Sequence, residues 1–162
     1  MARPKDIPDL NPQDNLRTCL QAIALSRFED TFSYEQAVLD SGDREALHDM
    51  RVAARRLRAI LLIFRECFPK KKFKKNDEIL KRLIRSLGAV RESDVFVEFM
   101  QDRRKNTTAP DGKIIDLLLA REESSRLSHR KGLVSELKNL HETEFTDSFH
   151  RFLNESLGKH DG

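Results

Sequence analysis

The chain has 162 residues, 38% hydrophobic and 35% charged, which is enough for one compact domain with a single core. No run approaches the roughly 20 apolar residues of a membrane helix, and two cysteines alone cannot build a zinc site. Net charge is only +3, yet residues 44–91 hold 15 Lys and Arg against 5 Asp and Glu, so +10, and the remainder holds 15 against 22, so −7; a field this segregated attracts polyanions.

The first residues, "MARPKDIPDLNP", have no apolar core and are not expected to be a secretory signal. Residues 1–11 are expected to form an extended or disordered arm, 12–158 one helical bundle and 159–162 a tail. Cys19 and Cys67 are expected as reduced, buried thiols. From Pro12 to Leu39 the positions Leu16, Leu20, Ile23, Ala24, Phe28 and Phe32 keep three-to-four spacing, which predicts one long helix. "DSGD" at 40–43 ends it, with Gly42 as a C-terminal cap and Asp43 as the next N-cap.

A second helix is expected from Arg44 to Phe68, stopped by Pro69. The third starts near Lys71 and reaches Arg104. Gly88 in its middle costs about 1 kcal/mol relative to Ala, which points to close packing or a bend. "KNTTAPDG", 105–112, reads as the one clear loop. A fourth helix follows from Lys113 to about Asn139, and a fifth carries Phe145, Phe149, Phe152 and Leu153. "HETE", 141–144, reads as a helix start. No stretch alternates apolar and polar as a strand would, so the expected class is all-α, an antiparallel bundle of four to five helices.

The second helix, which contains "HDMRVAARRLRAILLIF", separates its charge from its apolar residues. At about 100° per residue, Arg44, His48, Arg51, Arg55 and Arg58 fall within an arc of roughly 80°. Ala53, Leu57, Ile60, Leu61 and Phe64 fall opposite. Arg56 sits off the stripe, where it either reaches round the edge or pairs with a carboxylate. On the third helix Lys74, Lys81 and Arg85 share one face with Glu78, and Leu80, Leu83, Leu87 and Val90 share another. The second helix has no interleaved acid on its stripe, although like charges four residues apart destabilise by about 0.2–0.5 kcal/mol per pair. Arginine dominates it, and the guanidinium fork fits phosphate oxygens. A solvated charged face is the bland alternative; these two features favour an anion site. A bound polyanion favours a protonated His48, so binding is expected to tighten as pH falls through the histidine range.

"LHDMRVAARRLRAILLIF" resembles the signature helix of the CHAD family, the conserved histidine α-helical domain. Its pattern is His, two residues, Arg-Val, two residues, then Arg-Arg-x-Arg. "LKRLIRSLGAVRESDV", 80–95, is similar to the family's third helix, with Glu92 where the family pattern has its first aspartate. The resemblance implies a polyphosphate-binding helical module without catalysis or cofactor. It implies binding by His48, Arg51, Arg55, Arg56 and Arg58, with Lys81 and Arg85 facing them. Arg44 and Lys74 join the set by their faces, and Arg91 with Asp94 reads as a structural ion pair. Family members usually hold two such bundles, and no second basic motif follows residue 105. A homodimer that rebuilds the pair is therefore expected. The expected setting is the cytoplasm, in association with polyphosphate granules.

Three other classes compete. Nucleic-acid backbone binding uses the same arginine–phosphate contacts, but the basic stripe contains no aromatic for stacking. A histidine phosphotransfer protein follows its histidine with x-Leu-Lys-Gly, whereas His48 is followed by Asp-Met-Arg-Val. For an enzyme, His129, His141, His150 and His160 show no metal-ligand spacing, and there is no phosphate-cradling glycine loop.

Overall fold

The computed structural model describes residues 7, 10, 11, 13–40 and 42–158, so most of the expected N-terminal arm and the tail 159–162 lie outside the described residues. Among these the chain is all-α. The helices are α1 (Leu16–Phe32), α2 (Glu35–Asp40), α3 (Arg44–Ile63), α4 (Lys70–Lys105), α5 (Asp111–Glu142) and α6 (Phe145–Leu157). None of them is long and apolar enough to cross a membrane.

The local signals explain most of the boundaries. Asn15 caps α1 by accepting from the Thr18 amide at 2.9 Å. Gly42 turns the chain at φ 61, and the Asp43 carboxylate accepts from the amides of Glu45 and Ala46 to start α3. Pro69 precedes the first turn of α4, where its missing N–H costs no helical bond.

Three boundaries differ from expectation. The first predicted helix is two helices, broken at Ser33 and Tyr34. There the Thr31 and Ser33 hydroxyls bond back to the carbonyls of Arg27 and Asp30, and such back-bonding competes with the helical ladder. The break turns α2 so that Val38 is buried in the core. The second predicted helix ends at Ile63, and a 3-10 turn at Arg65–Cys67 leads Phe68 into the core before Pro69. "HETE" is a junction: α5 runs through His141 and Glu142, and Glu144 adopts a left-handed φ of 49 to start α6. Gly88 produces no break in α4.

The core joins one face of every helix. Leu47, Met50, Ala54, Leu57 and Leu61 from α3 meet Leu80, Leu83, Leu87 and Val90 from α4. Of the apolar side predicted for α3, Ala53, Leu57 and Leu61 are buried, while Ile60 and Phe64 are only half-buried. Phenylalanines tie α6 to the rest of the core: Phe28 of α1 stacks on Phe149 with centroids 4.5 Å apart, and Phe68, between the 3-10 turn and α4, stacks on Phe152 at 5.0 Å. Cys19 and Cys67 are free thiols, half-buried rather than buried.

Buried polar residues set the register of α4 against its neighbours. Asp94, 2% exposed, accepts from Arg126 Nε of α5 at 2.6 Å and lies 3.5 Å from Arg44 Nε of α3. The expected Arg91–Asp94 pair is therefore not formed by this carboxylate. Beside it, the Ser93 hydroxyl and His129 Nδ1 are 3.1 Å apart. Removing one partner of a buried pair leaves a charge without compensation. With Arg44 still near Asp94, Arg126→Met is expected to lower unfolding stability by about 2 kcal/mol at neutral pH. Urea denaturation checks this, and an unchanged midpoint contradicts it.

Candidate functional site

α3 and α4 run antiparallel, so the His48 end of α3 lies beside the 88–99 stretch of α4 and Arg58 lies beside Asp77. Both helices turn basic residues toward this seam. α4 also supplies the carboxylates that make the approach tolerable. Asp77 takes Arg58 Nε on one oxygen at 2.6 Å and Lys81 Nζ on the other at 3.0 Å. Lys81 also donates to Glu78 at 2.9 Å. That bond, followed by the one to Asp77, holds Lys81 above the ordinary lysine range, and the same Lys81 contact holds Glu78 below the ordinary carboxylate range.

The expected stripe therefore divides. Arg44 and Arg58 at its two ends, and Lys81 across from it, are engaged by Asp94 and Asp77. The acids that neutralise them come from the neighbouring helix, which is why inspection of α3 alone did not show them. The side chains of His48, Arg51 and Arg55 between these ends make no hydrogen bond or ion pair among the described residues, and neither do those of Lys74, Arg85 and Arg91, although the Arg85 charge is felt at Glu78. Lys74 lies beyond the Arg58–Asp77 bridge, one turn outside the open stretch. Arg56 does not belong to the seam. It interacts elsewhere within the protein, and its charge reaches Tyr34, where it opposes the upward push from burial, Asp30 and Asp49.

Two polar atoms in the open stretch are unusual. His48 Nδ1 and Arg51 Nε are each buried and without a hydrogen-bond partner. A buried polar group left unpaired costs about 1–3 kcal/mol, so both side chains carry hydrogen-bonding capacity that the protein itself does not use. The two residues line one groove of about 530 Å³ with Arg91, Glu92, Val95, Phe96 and Phe99. Arg91, expected from the resemblance to form a structural pair with Asp94, is thus a groove residue. Its i, i+3 spacing concealed this, because Asp94 turns to α5 instead.

Gly88 explains how Arg51 is held. A Cβ at Gly88 would stand 3.5 Å from Arg51 Nε, with no other neighbour within 4 Å outside its own helix. The bare backbone lets the guanidinium lie against α4, so the glycine serves close packing and not a bend. Among the described residues His141 Nε2 and Glu35 are 2.8 Å apart, and His150 meets the Phe28 ring edge-on, while His160 lies outside the described residues. Among the described residues, no cluster of His, Cys, Asp and Glu could hold a metal ion.

A family model described as CHAD domain matches residues 22–162. The chain belongs to the CHAD family. CHAD domains are linked in general with polyphosphate binding and act as binding domains. Comparison with curated proteins and with solved structures found no match. The matched region contains all of α3 and α4, and therefore the whole seam.

The fit of this CHAD chain at Gly88 yields a graded expectation. A methyl at 3.5 Å is ordinary contact, so Gly88→Ala should raise stability by about 0.5–1 kcal/mol through helix propensity and leave the groove intact. Gly88→Leu should displace Arg51 while α4 still forms. Thermal melts paired with anion-binding titrations check both; a Gly88→Leu variant that binds like wild type contradicts the role given to the glycine.

Proposed function

We propose that this chain binds inorganic polyphosphate, without catalysis, in the groove between α3 and α4. The observation that carries the proposal is that His48, Arg51 and Arg91 line one groove while His48 Nδ1 and Arg51 Nε have no hydrogen-bond partner within the protein. Arg91 shares the groove with them, beside Glu92, and Arg55 follows one turn further along α3. From His48 to Arg55 the helix rises about 10 Å, so successive turns present cations to successive phosphoryl oxygens of one chain. Arg44, Arg58 and Lys81 brace the groove through their carboxylates and add weaker contacts with N–H groups not used in those pairs. Arg56 and Lys74 contribute little. The proposed setting is the cytoplasm, with the chain associated with polyphosphate granules.

Single-stranded nucleic acid is the second reading, and Phe96 and Phe99 favour it because they line the same groove and could stack on bases. Arg103 lies 5.9 Å from the centroid of the Phe99 ring and occupies one face of it. Competition between long-chain polyphosphate and single-stranded DNA of equal phosphate content separates the two. The proposal expects polyphosphate to displace DNA at substoichiometric amounts.

Arg51→Ala with Arg55→Ala removes two charge-assisted contacts and should weaken polyphosphate binding by about 100-fold. The slope of log affinity against log salt should fall by about one to one and a half. Equal affinity of variant and wild type at two salt concentrations would reject the site. Separately, affinity should rise as pH is lowered from about 8 to about 6 at fixed salt, and His48→Ala should abolish that rise. A pH response that survives the substitution places the proton elsewhere.

A further inference from the structure

The groove offers more than inorganic polyphosphate can use. A chain of bare phosphoryl groups gains nothing from an apolar wall, yet Val95, Phe96 and Phe99 line the groove with His48, Arg51 and Arg91. Such a chain is also repelled by a carboxylate, yet Glu92 stands among the cations. The Glu92 side chain makes no hydrogen bond or ion pair among the described residues, so neither arginine uses up its charge. Val95 is 47% exposed and Phe99 58%, and both lie past the Arg44–Asp94 contact, where α3 has not yet begun.

These features follow an order along α4. Arg51 lies beside Gly88, and His48, one turn earlier on the antiparallel α3, lies further toward Glu92. Val95 and Phe96 come next, then Phe99. The sequence is cation, carboxylate, aromatic ring, over a rise of about 16 Å from Gly88 to Phe99. A nucleoside that carries a phosphate chain has complementary groups in the same order: clustered phosphates, then a sugar with two hydroxyl donors, then a flat base.

We propose that the groove takes a nucleoside polyphosphate. Its phosphates lie on His48, Arg51 and Arg91, its ribose hydroxyls donate to Glu92, and its base packs on Phe96 and Phe99. This rests on the reading that the groove cations hold phosphate, and it adds what the phosphate chain is attached to. A carboxylate that accepts from ribose hydroxyls is a common way to read the sugar, and aromatic side chains stack on bases of any kind. The groove, at about 530 Å³, falls within the roughly 300–1,000 Å³ of small-molecule sites. A nucleic-acid strand fits less well. It brings one phosphate per base, whereas three cationic side chains gather here at one end of one aromatic platform. An alkyl phosphate would leave Glu92 without a donor.

Calorimetric titration of the full chain with ATP, inorganic triphosphate and 2′,3′-dideoxy-ATP tests this. ATP should bind about tenfold more tightly than triphosphate, and Phe99→Ala should bring that ratio close to one. Phe99→Leu, which keeps apolar bulk but loses the ring, should also lower it and serves if Phe99→Ala misfolds by circular dichroism. The dideoxy compound should bind about tenfold more weakly than ATP, and Glu92→Ala should abolish that difference. Equal affinity for ATP and triphosphate overturns the proposal, and the phosphate site stands if Arg51→Ala weakens both. If Arg51→Ala weakens neither, the phosphate site falls with it. A dideoxy compound that binds like ATP, or an ATP preference that survives both Phe99 variants, also overturns the proposal. So does octyl phosphate or a single-stranded oligonucleotide that binds more tightly than ATP, which would assign the apolar wall to a lipid or to a strand.

Discussion

Two helices of like charge lie side by side in this protein, and the carboxylates of Asp77 and Asp94 make that possible. Each sits on α4 and each reaches α3 near one end of the seam, Asp77 to Arg58 and Asp94 to Arg44. Both are nearly buried, so their interactions are less screened than those of surface pairs. They fix the antiparallel register and offset part of the repulsion. They are also consumed in doing so. Arg51 and Arg55 lie between the two braces, out of reach of either carboxylate, and keep their full charge. The same arrangement that stabilises the pair of helices therefore leaves a gap of the opposite kind in its middle.

The rest of the fold keeps that gap rigid. Aromatic packing between Phe28 and Phe149 fastens α1 to α6, and packing between Phe68 and Phe152 fastens the α3–α4 turn to α6. The leucines of α3 and α4 meet beneath it. No core residue has to move for the groove to be reached. Gly88 lies beside Arg51, whose Nε would be 3.5 Å from a Cβ there, so the guanidinium packs against α4. A rigid row of donors suits a repetitive ligand better than one with varied shape, because every phosphoryl unit offers the same oxygens.

Much of this was legible in the sequence where the signal was local. The 3.6-residue period located the helices, Asp43 announced the start of α3, and Leu80, Leu83, Leu87 and Val90 were assigned to the core correctly. The placement of His48 and Arg51 on one side of α3 followed from spacing alone. What could not be read depended on neighbours distant in sequence. Arg58 and Arg44 looked open because their acids stand 19 and 50 residues further on. Arg91 looked paired because Asp94 is three residues away, yet that carboxylate faces Arg126 on another helix. The break at Ser33 escaped notice since the apolar period continues through it. The exposed ridge of Val95, Phe99 and Leu117 could not be told from core by hydrophobicity, which measures what a residue prefers and not what covers it.

The central claim is that the seam holds two kinds of arginine, one satisfied by the protein and one awaiting phosphate. Nitrogen-15 NMR of the arginine Nε–H groups during titration with polyphosphate addresses this directly. Arg51 should show a large shift and slowed solvent exchange at saturation, while Arg58, already donating to Asp77, should stay near its starting position. If the two signals move together, or Arg51 does not respond while the protein binds polyphosphate, the division of the seam is wrong and the ligand lies elsewhere.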